Sequence, residues 1–294
     1  MRLASKNKVE TLLERLPAGG RVALIRLRSL GDCVLTTPAL ALLKQFRPDL
    51  RVTVIVEPRF AAVFEGDPDV DEIRDGFTRA DLAINFHGGP RSMALTFGSR
   101  WRTGFAHHRG SFWYTHPIPR AQQILGVERK VHTAEHLASA MFWLGVPKSE
   151  IPRARLYAAP PPDLAPYVVI HPFASAPDKT WPADRFLEVA SRLSGLEPVF
   201  LAGPADGTSP FEKFRVWKNE PLARVKSLIS GAALFVGNDS GPAHIAAAFG
   251  IPAVVLFGAS DPVTWAPWRT DAVVLTGLDR ISVDDVLAAA KVRA

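Results

Sequence analysis

Two series of alternating strand-like and helix-like segments, divided by a stretch dense in proline, limit what this chain can fold into. In the first series, short apolar runs at 21–27, 51–56 and 81–86 read as strands, and 34–46, 59–65 and 132–144 read as helices. In the second, strands are expected at 167–171, 198–202, 233–237 and 252–257, with helices at 183–194, 221–230 and 242–249. A strand followed by a helix and another strand needs a crossover, and crossovers build parallel sheets. Between the series lies "VPKSEIPRARLYAAPPPDLAP", residues 146–166. Proline fixes φ and withdraws an N–H donor, so such density supports neither a helix nor a central strand, and a linker is expected. The closing stretch "ISVDDVLAAAKVRA" sets Ser282 three residues before Asp285 and finishes in Lys and Arg, which suits a capped final helix. The expected fold class is α/β, two Rossmann-like domains with parallel sheets facing across a cleft. The domains are placed at 1–155 and 156–294, the last helix being free to pack back on the first. A chain of 294 residues is long enough to give each domain its own core.

Composition narrows the class further. The start, "MRLASKNKVETLLERLPAGG", scatters Lys and Glu among its leucines, which predicts an amphipathic helix closed by Gly19-Gly20 rather than a signal peptide. The most apolar stretch, 245–259, is broken by Gly250 and Pro252 and is too short to span a bilayer. A cytoplasmic protein is expected, resting peripherally at the cytoplasmic face of the inner membrane. Cys33 is the single cysteine, so no internal disulfide can form, and a buried thiol is expected. Charge is divided unevenly: residues 1–160 carry 23 Lys+Arg against 15 Asp+Glu, leaving 12 and 14 of the chain's 35 and 29 for the remainder. The basic first half either meets an anionic partner or is a solvated face. Nucleic acid is not the expected partner.

Several familiar signatures are missing or weak. Neither G-x-G-x-x-G nor a Walker A motif occurs, which disfavours a nicotinamide-dependent dehydrogenase. "DPD" at 67–69 has the spacing of a metal clamp, but no apolar strand leads into it and a turn is expected. "GNDSG" lacks the elbow and oxyanion signature that would make Ser240 a nucleophile. No zinc spacing links His87, His107, His108 and His116, which read as loop residues or ligand contacts.

Three stretches carry more. In "LFVGNDSGPAHIAAAFGIPAVVLFG", 234–258, a buried strand ends in Asn-Asp-Ser-Gly, and Pro242 suits the first turn of a helix. Such a helix start offers free N–H groups and a positive dipole end to an anion, a phosphate for example. Asp239 and Ser240 could equally cap the helix; His244, one turn in, would point back over the same mouth. In "VVIHPFASAPDKTWPADRFLEVA", 168–190, Ser175 and Lys179 lie in a strand-to-helix loop, where ligands of open α/β sheets gather. A lone loop lysine could also be solvated surface. In "RLRSLGDCVLTTPAL", 26–40, Asp32 sits at the mouth of a strand-to-helix turn.

In order and separation, these stretches together resemble glycosyltransferase family 9, the ADP-heptose:lipopolysaccharide heptosyltransferases. The resemblance covers nearly the whole chain. It implies the GT-B fold and an inverting, metal-independent transfer of heptose from ADP-heptose to an anionic inner-core lipopolysaccharide acceptor, with no cofactor. Asp32 then matches the general base, and Lys179 the lysine on the donor diphosphate, where it also serves catalysis. Ser175, Asp239, Ser240, Gly241 and His244 match donor-binding positions. Ala174 stands where some members have a second hydroxyl, so another nucleotide sugar stays open. The 204–221 region, where adenine contacts are expected, is short. Arg91, Arg102 and Arg120, with Arg100 and Arg109 nearby, are candidates for acceptor recognition. Alternatives are a transferase of the same family with a different donor or acceptor, and a non-catalytic sugar-nucleotide binder. Against the binder stands Asp32, a base for which it has no use.

Overall fold

A computed structural model describes residues 10–161 and 166–291. Its first unit runs β1 (Arg21–Ile25), α1 (Leu30–Val34), α2 (Thr37–Phe46), β2 (Arg51–Ile55), β3 (Glu72–Arg74), β4 (Leu82–Asn85), α3 (Pro90–Ala94), β5 (Trp101–Phe105), β6 (His116–Ile118), α4 (Ala121–Leu125) and α5 (Thr133–Leu144). The second runs β7 (Tyr167–His171), α6 (Ala183–Arg192), β8 (Glu197–Ala202), β9 (Arg215–Lys218), α7 (Leu222–Ser230), β10 (Leu234–Asn238), α8 (Gly241–Phe249), β11 (Ala253–Phe257), α9 (Pro262–Trp265), β12 (Ala272–Thr276) and α10 (Val283–Lys291).

Each unit is built on a six-stranded sheet, ordered β3-β2-β1-β4-β5-β6 in the first and β12-β11-β10-β7-β8-β9 in the second. Every pairing is parallel. The central strands are covered on both faces, so β4, β7, β10 and β11 are buried throughout and read as apolar runs, broken only at the carboxyl ends by Asn85, His171 and Asn238. In both sheets the order reverses beside the first strand, between β1 and β4 and between β7 and β10. There the chain leaves in opposite directions and opens a crevice at the carboxyl ends of the strands.

Local chemistry explains where the elements depart from expectation. The helix expected over 34–46 is two helices. Pro38 has no N–H for the Val34 carbonyl, which instead accepts from Thr37 Oγ1 at 2.9 Å, while Thr36 Oγ1 donates to the Asp32 carbonyl at 2.8 Å. Thr36 and Thr37 are thereby buried and line no cavity. The helix expected over 59–65 is a 3-10 turn over Pro58–Val63. The amphipathic helix expected over the first twenty residues lies partly outside the described residues; residues 11–16 form turns that bury Leu12, Leu13 and Leu16. "DPD" is a turn, with Asp67 Oδ1 accepting from the Asp69 amide at 2.9 Å.

The proline-rich stretch is no loose linker where it is described. Ile151, Ala154 and Leu156 are buried. The Arg155 amide donates to Thr37 Oγ1 at 3.1 Å, and the carbonyls of Pro152 and Ala159 accept from Trp268 and Ser227 of the second unit. Proline prevents a ladder but not packing. The closing helix does not return to the first unit: Val283, Val286, Leu287 and Ala290 enter the core of the second unit, against α6 and β11. Its expected capping box forms, the Ser282 amide donating to Asp285 and the Asp285 amide to Ser282 Oγ.

The units meet through α1 and α8. An added Cβ at Gly31 would lie 2.5 Å from the His244 ring, and one at Gly241 would lie 2.6 Å from Leu30. Two glycines therefore let the helices touch nearly backbone to side chain. One apolar core continues across this crossing, from Val34 and Leu35 to Ala243 and Ala246.

Candidate active site

On the first unit, the chain leaves β1 through Arg26 and turns at Ser29 into α1. Arg26 donates to the Phe86 carbonyl at 2.6 Å and forms an ion pair with the Asp32 carboxylate, whose side chain is 17% exposed. Ser29 Oγ donates to Asp32 Oδ2 at 2.8 Å. Asp32 is thus held from both sides at the β1/β4 crevice. Next to it, Cys33 is fully buried, and burial pushes its thiol up to about 12, which rules it out as a nucleophile at neutral pH.

Beside Asp32, the turn after β4 is organised by Asn85, which is fully buried. Its carbonyl oxygen accepts from the amides of His87 and Gly88, and its amide donates to Ser92 and Tyr114. Gly88 and Gly89 take φ of 72° and 90°, which allows the turn to pass over the crevice. A cavity of about 290 Å³ opens there, lined by Arg28, Glu57, His87, Gly89 and Arg91. Glu57 pairs with Arg59 at 2.9 Å and Arg91 at 3.6 Å. Burial, with Arg26 and Arg28 close by, holds the His87 imidazole below its usual value.

On the second unit, β10 ends in Asn238, again fully buried. Its side chain accepts from the Trp181 amide at 3.1 Å and donates to the Pro172 carbonyl at 2.9 Å, tying the 172–181 loop to the start of α8. The loop that carries Ser175 and Lys179 is thereby tied to the strand end that leads into Asp239, Ser240 and Gly241. Burial raises the Asp239 carboxyl, while the nearby Ser260 hydroxyl and the charge of Lys179 oppose the rise. Ser240 precedes α8 in an extended conformation, and its hydroxyl is buried with no protein partner. That is an open hydrogen-bonding position at the positive end of the α8 dipole.

A cavity of about 940 Å³ lies between the units. Ser29, Leu30 and Gly31 line it from the first unit, and Ser175 and 239–242 from the second. An arm runs past Gly203 and Asp206 to Asn219 and Leu222, within and just beyond the short 204–221 region. Asp32 does not line this cavity but is bonded to Ser29, which does, and Lys179 does not line it but lies close enough to Asp239 for its charge to act there.

Other candidates fall elsewhere. His244 lies beneath the cavity, 4% exposed, with its ring against Gly31. Burial first, then the neighbouring His132, pushes it down to about 4, so it is neutral at pH 7. Arg91 lines the cavity beside Asp32, but Arg102 and Arg120 do not. Arg102 donates to the Trp113 carbonyl and lies over the Phe97 ring, whereas Arg120 lines a separate cavity with His107 and His136. Sequence reasoning missed Arg26, Asn85, Asn238 and Lys226. Lys226 is 4% exposed and donates across the units to the carbonyls of Ala62 and Glu65, at 2.6 and 3.0 Å. Its signal was a charge on the apolar stripe of "LARVKSLIS", beside Val225, Leu228 and Ile229. Among the described residues, no three His, Cys, Asp or Glu side chains come together to hold a metal ion. Nor is any described helix long and apolar enough to cross a membrane.

Two facing units of this strand order make up the GT-B architecture of glycosyltransferases. Residues 76–284 match the family description "Glycosyltransferase family 9 (heptosyltransferase)", and the chain belongs to that family. It is similar to lipopolysaccharide heptosyltransferase 3 of Escherichia coli strain K12, 26% identical over 83% of this chain and 84% of that protein. Lipopolysaccharide heptosyltransferase 1 of the same strain is 23% identical over 82% of this chain and 89% of that protein. Among solved structures, a glycosyl transferase family 9 protein from Veillonella parvula superposes with a TM-score of 0.82 at 23% identity, covering 93% of this chain and 96% of that one. An E. coli heptosyltransferase solved with ADP superposes with a TM-score of 0.79 at 19% identity, covering 93% and 100%.

Proposed function

We propose that the chain transfers a heptose from ADP-heptose to an inner-core sugar of lipopolysaccharide, inverting the anomeric centre, with Asp32 as general base. The observation that carries this reading is the position of Asp32. It is a carboxylate pinned by Arg26 and by Ser29, which lines the cleft from the first unit, while the start of α8 lines the cleft from the second. The relatives named for lipopolysaccharide and the ADP-bound relative support the choice of acceptor and donor.

In this mechanism the acceptor hydroxyl passes its proton to Asp32 as its oxygen attacks the anomeric carbon. The bond from that carbon to the diphosphate breaks on the opposite face. Positioned proton transfer of this kind contributes typically ~10²–10⁴-fold. The departing diphosphate gathers negative charge, which in this reading is met by Lys179, the positive end of the α8 dipole and the unpartnered Ser240 hydroxyl. Donors fixed before the reaction need no reorganisation as the charge develops. Ser175 and Asp239 frame the same mouth, and the arm at 203–222 offers room for the base. His244 supports the floor from below rather than touching the donor. On the acceptor side, Arg28 and Arg91 face the anionic sugar beside Asp32, and a lipid-borne acceptor would bring the chain to the membrane surface.

The test is Asp32→Asn with nucleotide binding read alongside turnover. The variant should keep the thermal stabilisation that ADP gives the wild type and lose turnover by about two orders of magnitude or more. Normal turnover in the variant removes Asp32 from its role. Stabilisation by UDP or GDP but not by ADP removes the donor assignment.

A further inference from the structure

The first unit carries a surface that the cleft does not use. Phe77, Phe97 and Trp113 lie in the connections leading into β4, β5 and β6, so three neighbouring strands of one sheet gather them at its amino edge. The Phe77 ring lies so close over Gly98 that a Cβ there would overlap it. The rings of Phe97 and Trp113 meet edge to face at 5.6 Å, and Phe112 adds a fourth ring 5.2 Å from Trp113. These rings face water: Phe112 is 79% exposed, and Phe77, Phe97 and Trp113 are about half exposed at 52%, 51% and 49%. A contiguous aromatic patch of this kind on a soluble fold marks a contact surface.

Its charge selects the partner. From Phe77 to Arg120 the chain has six arginines, no lysine and one acid, Asp81. Asp81 is already engaged, accepting from the Arg21 amide at 2.8 Å. Arg102 lies over Phe97 at 5.5 Å and Arg100 over Trp101 at 4.4 Å, so cations and rings are interleaved. Arg79 and Arg109 are exposed in the same stretch. A second copy of the chain would set arginine against arginine, with Asp75 and Asp81 too few to compensate. An anionic bilayer satisfies both halves of the patch, since rings of this kind settle at the headgroup boundary and arginines pair with lipid phosphates.

We infer that the aromatic and arginine patch of Phe77, Phe97, Phe112, Trp113, Arg100 and Arg109 docks the protein on an anionic lipid surface. This goes beyond the reading above, since the patch lies at the amino edge of the sheet and the cleft at the carboxyl ends, and docking requires neither donor nor acceptor. The full chain is to be floated with phosphatidylcholine vesicles, alone or containing about one third phosphatidylglycerol, at low and at physiological salt. The wild type should float with the anionic vesicles and far less with the neutral ones. Phe112→Ser/Trp113→Ser and Arg100→Glu/Arg109→Glu should each lower the bound fraction about tenfold or more. Both should retain the wild-type melting temperature and the wild-type ADP-induced shift. Loss of that shift in the wild type would count against the proposed donor and leave docking standing. Several results would overturn docking: wild type that stays in the aqueous fraction, or variants that float as well as wild type. A wild-type dimer that these substitutions convert to a monomer would assign the patch to self-association instead.

Discussion

The Arg26–Asp32 pair is nearly shielded, its side chains 11% and 17% exposed, and Ser29 and Arg26 leave the carboxylate little freedom to rotate. Arg26 is anchored at its other end on the Phe86 carbonyl, so β1 and β4 together aim the acid. Titration at the residue scale is set by burial. Burial first, then nearby positive groups, pushes both His244 and His136 down to about 4. In the unfolded chain these rings take up protons below about 6.5, whereas in the native protein they do so only near 4. Their stabilising effect is therefore complete above pH 6.5 and is lost as pH falls toward 4, by up to about 1.4 kcal/mol per pH unit for each ring. His136 stacks on Phe105 at 3.9 Å, so His136→Phe should keep the packing and remove one titrating ring. Between pH 6.5 and 4 the melting temperature of that variant should fall less steeply than that of the wild type. Equal slopes would show that His136 titrates alike in both states.

At the scale of elements, the α1–α8 crossing yields a sharper expectation. Alanine in a helix is worth about 1 kcal/mol over glycine, so Gly31→Ala would stabilise an isolated α1. Here the new methyl meets the His244 ring, and overpacking typically costs about 1–3 kcal/mol. Gly31→Ala should therefore destabilise the wild type in urea, yet be neutral or stabilising in a His244→Ala background. The same sign in both backgrounds would separate the two residues. Which elements could be read from the sequence follows from similar physics. The central strands announced themselves because burial on both faces leaves them almost wholly apolar up to their carboxyl ends. By contrast, β9 is RVWK, with charged ends and only its two middle residues partly covered, and β12, though apolar over Ala272–Leu275, is a partly exposed edge strand that falls after the last expected strand. The site was legible where chemistry demands a residue type at a turn, as at Asp32 and at 239–241. The supports Arg26, Asn85 and Asn238 were not, because each also bonds to a group far along the chain, Arg26 to the Phe86 carbonyl, Asn85 to Tyr114 and Asn238 to Pro172 and Trp181, which only the folded sheets bring near.

At the scale of the whole molecule, the two units do not behave as beads on a string. The core passes without a break from Val34 to Ala246, Ile151 and Leu156 are pinned into it, and Lys226 bridges to carbonyls of the first unit. One cooperative calorimetric transition is therefore expected, with matching calorimetric and van't Hoff enthalpies. Two resolved transitions would show that the crossing holds less tightly than its burial implies. The crossing also bears on what the cleft can admit. The helices that touch there begin at its two rims, so the span between the half-sites is fixed where Gly31 meets His244. It works as a vice without a screw, whose jaw width is set by a methyl group that position 31 does not have.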